Sequence, residues 1–326
     1  MASQGQSSAF EKLIGEAPPL HDRRRIIVAL GLAALAGCSA GRDASSLGNR
    51  QRRALQDLEQ AASGRLGAYI FDTRSKTGFG WRENERFAHC SSFKMSLAAM
   101  VLSKSEQGEA DLGEVLRWSS RDMLPVSPVT QANIERGLTA EDLARATLVT
   151  SDNTAANVLL RRFGGPPALT AFWRSLGDNI SRLDRFEPEL NEIPPGTRLD
   201  STTPKAMTMT TAALVHGDAL SSASKTKLKT WMEAVRTGSQ RIRAGMPKDW
   251  LSGDKTGTGI GKTKHTYVDI AFGGPAVRPP LIITAYFEPD QLVEPMDPIA
   301  LGVLADVGRI AAWALLTTKE TAALGE

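Results

Sequence analysis

Cysteine and histidine are scarce in this chain of 326 residues: two cysteines, Cys38 and Cys90, and four histidines, His21, His89, His216 and His265. No H-x-H or H-E-x-x-H spacing joins those histidines, which argues against a zinc hydrolase, and neither a metal site nor a cofactor is expected. Two cysteines make no disulfide framework. Net charge is equally slight. At +3, with 39 Lys and Arg mixed evenly among 36 Asp and Glu, it gives no footprint for a nucleic-acid partner. Internal repeats and low-complexity blocks are also lacking. What remains is ordinary apolar content in a chain long enough to bury one large core or two modest ones.

The first 37 residues read as an address. Asp22-Arg23-Arg24-Arg25-Ile26-Ile27 opens an apolar run that ends at Gly37. At about twelve residues it is too short to span a bilayer and suits the hydrophobic region of a signal peptide. The paired arginines resemble a twin-arginine export signal. Leu35-Ala36-Gly37-Cys38 resembles a bacterial lipobox, in which Cys38 keeps a lipid anchor; the alternative is a plain cleaved signal with an incidental cysteine. The expectation is an exported, periplasmic monomer that meets the membrane only through that anchor. Residues 38–50, rich in Ser, Gly and Ala, read as a tether.

Beyond the tether, Arg52 to Ala62 has helical spacing, and Leu66–Asp72 with Gly78–Arg82 suggest a hairpin. From Glu85 to Met232 the pattern is helical and loop-rich. Helices are expected over Ser91–Ser105, Thr139–Thr147, Asp152–Phe163, Pro167–Leu176 and Thr203–Gly217, each with Ser, Thr, Asp or Pro near its start. Strand signals return at Asp249–Thr256, His265–Phe272 and Pro280–Glu288. A helix over Asp297–Leu316 follows, with Ile299, Val303, Val307, Ile310 and Leu315 facing a sheet. Strands at both ends with helices between imply an α/β chain. Residues 51–84 and 233–326 make a sheet domain, into which an all-α domain, 85–232, is inserted. A groove between them is the default place for a small-molecule site.

Four clusters carry chemistry. In Cys90-Ser91-Ser92-Phe93-Lys94, residues three apart share a helix face, so the Ser91 hydroxyl and the Lys94 amine come within reach. A buried amine of lowered pKa can take a serine's proton, and the first helical turn aims backbone N–H groups at a forming oxyanion. S-x-x-K recurs at Ser222/Lys225, Ser224/Lys227 and Ser252/Lys255, so the spacing alone is weak. Ser151-Asp152-Asn153 opens a helix and by itself reads as an N-cap. Lys255-Thr256-Gly257-Thr258-Gly259 stands at the end of a strand, and by itself reads as a hairpin turn. Arg185-Phe186-Glu187-Pro188-Glu189-Leu190-Asn191 lies in a Pro-rich loop running on to Asp200.

The ordered set S-x-x-K, S-D-N and K-T-G, with that Glu loop, resembles the class A serine β-lactamases over roughly Arg52 to Leu316. The resemblance implies a serine β-lactamase/transpeptidase-like fold, an antiparallel sheet flanked by helices with an inserted helical lobe. It implies β-lactam antibiotics as substrates and a role for each residue. Ser91 attacks the lactam carbonyl; the backbone N–H groups of Ser91 and Thr258 receive the oxyanion; Ser151 passes a proton to the leaving nitrogen. Lys255, Thr256 and Thr258 hold the substrate carboxylate, with Arg241 as a second anchor, and Asn153 binds the substrate's side-chain amide. Glu187 and Asn191 hold the water that clears the acyl-enzyme. Two bases, Lys94 and Glu187, are available for the acylation proton. Arg185 and Asp200 look like the ion pair that closes the loop.

Departures bear on spectrum. Val126 stands before Ser127-Pro128 where many relatives carry an aromatic, and Gly259 stands where some pair a cysteine with the one beside the nucleophile. Two rival readings are a penicillin-binding D-Ala-D-Ala peptidase, which lacks the deacylating glutamate, and a β-lactam-sensing lipoprotein.

Overall fold

Strands from before and after the helical stretch close into one antiparallel sheet. The computed structural model describes residues 44–194, 196–278, 280–293 and 295–323; residues 1–37 and Cys38 lie outside the described residues. Helix α1 (Ala44–Ala62) leads into β1 (Gly64–Asp72), β2 (Thr77–Trp81) and the short β3 (Phe87–Ala88). Next come α2 (Phe93–Glu106), β4 (Val115–Leu116), α3 (Pro128–Ala132), β5 (Leu138–Thr139), α4 (Ala140–Val149), α5 (Asn153–Arg162) and α6 (Gly165–Ser175). After β6 (Ser201–Thr202), α7 (Pro204–Val215) and α8 (Ser222–Glu233) complete the helices of the middle stretch. The chain then makes β7 (Leu251–Ile260), β8 (His265–Gly274), β9 (Leu281–Pro289) and α9 (Pro298–Ala323).

The sheet has five strands in the order β2-β1-β9-β8-β7, all antiparallel, which leaves β7 at an edge. Alternation of side chains divides the core. From β1, Tyr69 and Phe71 join α2, α4, α5 and α7 in one apolar cluster, while Leu66, Ala68 and Ile70 join α1 and α9 in another. Helix α2 is buried from Phe93 to Ser103, which explains why its sequence lacks a polar stripe.

The sequence expectations and the structure differ in instructive places. Helix α1 begins at Ala44, inside the stretch read as tether, because Leu47-Gly48-Asn49 continues into the Arg52–Ala62 pattern without a breaker strong enough to stop it. Ser91 precedes the α-helix proper: Cys90–Ser92 form a 3-10 turn and the α-helix starts at Phe93. Strand β7 runs on through Thr256 to Ile260, so Lys255 to Gly259 lie inside a strand and not at its end. Every one of them pairs with β8. On α9 the buried residues include Ala300, Leu301, Val303, Leu304 and Val307, while Ile299 in the first turn is exposed. Two two-residue ladders, β3 with β6 and β4 with β5, are too short to show alternation in sequence.

His89, next to the nucleophile turn, is wholly buried and stacks on Trp173 of α6, with ring centroids 4.8 Å apart and planes 8° from parallel. Neither ring nitrogen has a hydrogen-bond partner. Burial therefore holds its pKa down at about 3, and the folded protein keeps it neutral. The unfolded chain binds this proton near pH 6.5, so stability tied to His89 is intact above about 6.5 and is lost as pH falls toward 3. The slope is at most about 1.4 kcal/mol per pH unit. Urea unfolding of the wild type and His89→Phe, followed from pH 7 to 4, should show the variant gaining on the wild type as the solution is acidified. A constant difference would remove His89 from the acid limb.

Candidate active site

Ser91 is presented by a strained turn. Cys90 has φ +44, a left-handed value unusual for a residue with a side chain, and it opens the 3-10 turn Cys90–Ser92 that carries Ser91. Strand β7 can lie against this turn because Gly257 has no side chain: a Cβ there would fall 3.0 Å from His89 O and 3.1 Å from Ser91 N. Cys90 packs against Gly259, where a Cβ would come 2.8 Å from Cys90 Sγ and 3.1 Å from Asn191 O. Burial pushes the Cys90 thiol up, so it stays protonated and inert.

Lys94 is fully buried and meets several acceptors. Its Nζ donates to Ser91 Oγ at 2.9 Å, Ser151 O at 2.9 Å and Asn153 Oδ1 at 2.5 Å, and stands 3.0 Å from Glu187 Oε1. Burial lowers its pKa, while the Glu187 carboxylate pulls it back up. Ser91 Oγ also donates to Glu187 Oε1 at 3.3 Å, so one hydroxyl sits between an amine and a carboxylate.

Glu187 is held from three sides. Asn191 Nδ2 donates to its Oε2 at 2.6 Å, while Asn157 accepts from its backbone N–H at 3.0 Å and donates to its carbonyl at 2.9 Å. Asn157 escaped the sequence reading, although it lies four residues after Asn153 on α5, a spacing that puts both on one helix face. The ion pair expected at the base of this loop is present. Arg185 Nε donates to Asp200 Oδ2 at 2.6 Å, and Asp200 Oδ1 also accepts the N–H groups of Asp184 and Arg185.

Asp152 is the N-cap of α5, accepting from Ala155 N, and the two residues beside it face the site. Ser151, at φ +59, accepts from Lys255 Nζ at 3.0 Å, which links the second cluster to the third. Asn153 Nδ2 donates to Pro125 O at 2.8 Å, and its N–H to Val126 O at 3.0 Å. Val126 is exposed at this edge with φ +58, a costly value for a β-branched residue.

Lys255 is fully buried, and its pKa is pushed well down by burial and by the charge of Lys94. Thr256 Oγ1 and Thr237 Oγ1 are 2.6 Å apart; Thr237, like Asn157, was not singled out from sequence. Arg241 is not a surface charge. It is 2 % exposed and donates to Gly257 O, Val268 O and, at 2.6 Å, to Thr258 Oγ1. Ser91, Lys94, Ser151, Asn153, Glu187 and Asn191 thus form one hydrogen-bonded group, to which Lys255 is joined through Ser151. Thr256, Thr258 and Arg241 line the adjoining strand. The other S-x-x-K copies lie elsewhere: Lys225 and Lys227 on α8 bond to Gly217 O and Glu141, and Ser252 and Lys255 are three apart on a strand, on opposite faces.

A partly exposed serine bonded to a buried lysine and a buried carboxylate, carried by this sheet and its helices, defines a serine hydrolase. A sequence model described as the β-lactamase enzyme family matches residues 50–314. β-Lactamase FAR-1 of Nocardia farcinica (strain IFM 10152) is 45% identical over 202 residues, 62% of this chain and 64% of that protein. Carbapenem-hydrolyzing β-lactamase KPC of Klebsiella oxytoca is 39% identical over 264 residues, 81% of this chain and 88% of that one. Among solved structures, the class A β-lactamase of the last common ancestor of Gram-negative bacteria superposes with a TM-score of 0.76 at 43% identity, covering 83% of this chain and 99% of that one. The chain belongs to the β-lactamase enzyme family, in its class A serine branch.

Asp200 is the fully buried half of its ion pair, while the Arg185 side chain is 27% exposed. Asp200→Ala leaves two backbone N–H groups and the Arg185 Nε without their acceptor and should cost about 3 kcal/mol. Urea denaturation checks the figure, and turnover should fall with it, since the Glu187 loop is closed by this pair. A loss below about 0.5 kcal/mol would show that the pair does not hold the loop.

Proposed function

We propose that this class A β-lactamase hydrolyses the β-lactam amide of antibiotics through an acyl-enzyme on Ser91. The observation that carries this reading is the Ser91 hydroxyl lying between Lys94 Nζ at 2.9 Å and Glu187 Oε1 at 3.3 Å. In acylation the Ser91 Oγ bonds to the lactam carbonyl carbon, its proton passes to Lys94 or Glu187, and the carbonyl oxygen becomes an oxyanion facing the N–H groups of Ser91 and Thr258. The C–N bond then breaks, and Ser151, bonded to both lysines, relays a proton to the leaving nitrogen. In deacylation a water oriented by Glu187 and Asn191 gives its proton to Glu187 and its oxygen to the acyl carbon; the C–O bond to Ser91 breaks and Ser91 is reprotonated. Lys255, Thr256, Thr258 and Arg241 offer the cationic and hydroxyl donors that a substrate carboxylate needs. Asn153 has its Oδ1 and one Nδ2 hydrogen engaged, leaving the other for a side-chain amide.

The Glu187 carboxylate at the nucleophile favours hydrolysis over the penicillin-binding peptidase reading, which predicts a persistent adduct, and over the sensor reading, which predicts binding without turnover. Purified protein should bleach a chromogenic cephalosporin catalytically. Glu187→Gln should lower turnover about 10²–10⁴-fold and accumulate acyl-enzyme, seen as the mass of the protein plus one opened substrate. Turnover left intact by that change would reject Glu187 as the base, and a permanent adduct on the native enzyme with every substrate would reject hydrolysis.

Export to the periplasm, a monomeric state and a lipid at Cys38 belong to the same reading, supported by the twin-arginine-like and lipobox-like residues. In cells given radiolabelled palmitate, the wild type should take up label and Cys38→Ala should not. Equal labelling would dismiss the anchor.

A further inference from the structure

Behind the strand that carries Lys255, Thr256 and Thr258 lies a buried charge cluster that no catalytic step above uses. Asp254, Thr256 and Thr258 alternate with Lys255 on β7, and Thr256 pairs with Asp269 of β8, so the two acids share a sheet face. That face is covered by the segment carrying Arg241 and by the 3-10 turn Ile242–Gly245. Asp269 is fully buried; its Oδ2 accepts the N–H of Ile242 at 3.0 Å, and its Oδ1 has no hydrogen-bond partner. Asp254, also fully buried, stands 3.0 Å from Arg243. Arg241 spends one end of its guanidinium on two carbonyls and the other on Thr258 Oγ1, and among the described residues no carboxylate bonds to it.

A buried guanidinium needs a counter-charge. Here that charge does not compete for the N–H groups facing Thr258. We propose that Asp269 is a positioning residue for the carboxylate-binding end of the site, capping the N–H of Ile242 and supplying the buried negative charge that holds Arg241 against Thr258. The effect on substrate rests on the reading of Arg241 as a carboxylate anchor.

The groups around Asp269 are Arg241 and Arg243 from the covering segment, Asp254 from β7 and Tyr267 from β8 on its own face, and Lys255 through the strand from the other face; on α9, Asp306 and Arg309 pair with each other. Burial raises both acids. Asp254, which also feels the charge of Asp269, is raised well above the usual carboxylate range, and Asp269 is raised to about 6. Acid below about 6 therefore removes the Asp269 charge from beside Arg241.

Amide hydrogen exchange of Ile242 in the whole enzyme, read by nitrogen-15 NMR and corrected for intrinsic rates, tests this directly. Protection in the wild type should fall about tenfold or more between pH 7.5 and 5, whereas Asp269→Asn, which keeps an acceptor and loses the charge, should give lower protection that no longer varies with pH. Flat protection in the wild type overturns the proposal, and so does a variant that titrates as the wild type does. The wild-type arm decides the matter even if the variant fails to fold. In kinetics, Asp269→Asn should raise KM for a β-lactam about tenfold with kcat within twofold, and leave KM for the methyl ester of that β-lactam unchanged. If exchange behaves as expected and the acid and ester respond alike, Asp269 still positions Arg241 and the anchor reading of Arg241 is what fails.

Discussion

A single buried amine governs the architecture of the site. Lys94 has lost all contact with water, and removing a lysine from water costs several kcal/mol unless its neighbours replace the hydration. Four oxygens lie within 3.0 Å of Nζ: Ser91 Oγ, Ser151 O, Asn153 Oδ1 and Glu187 Oε1. An ammonium has three N–H groups, so all three are satisfied with an acceptor to spare. A neutral amine has two and a lone pair, and the Ser91 hydroxyl is placed to donate to that lone pair. Both protonation states are therefore accommodated without moving a heavy atom, a condition for passing a proton quickly. Burial favours the neutral state and Glu187 the charged one.

The second buried lysine follows from the first. Lys255 and Lys94 meet at Ser151 Oγ, and the charge of Lys94 lowers the pKa of Lys255. Carboxyl groups oppose the loss of charge from opposite sides: Glu187 on the Lys94 side, Asp254 and Asp269 beneath Lys255. The positive field that results lies where the proposed mechanism places the substrate carboxylate and the oxyanion. A neutral strand in the place of β7 would lower the electrostatic strain of the fold and leave the site without that field.

Much of this was legible in the chain. Ser91 and Lys94 are picked out by the ordered motifs that follow them in the chain, the Asp152 cap by residue type, and the Arg185–Asp200 pair by the resemblance of its loop. Other features were hidden for physical reasons. The glycines of Lys255 to Gly259 read as turn chemistry, yet Gly257 and Gly259 let β7 press against the nucleophile turn, a requirement set by a segment far away in sequence. Arg241, in a run of Thr, Gly, Ser, Gln and Arg, has the surroundings of a surface charge; its burial depends on carbonyls of two strands that only the folded sheet brings together. Asp269 did leave a trace, since a lone acid within Val268-Asp269-Ile270-Ala271-Phe272 is out of place in a strand buried on both faces.

The entrance shows how a side chain can be replaced while its backbone role persists. Val126 offers no aromatic face for stacking, yet its carbonyl holds the N–H of Asn153, and the preceding carbonyl of Pro125 holds the Asn153 amide. Asn153 in turn accepts from Lys94. The rim is thus tied to the buried amine through one asparagine, and the left-handed backbone at Val126, which costs of the order of 1–3 kcal/mol, aims that carbonyl inward. The tie to Lys94 runs through the Val126 backbone and depends on φ and ψ alone. A residue's side chain at this edge can vary with substrate, whereas its conformation is fixed by Asn153.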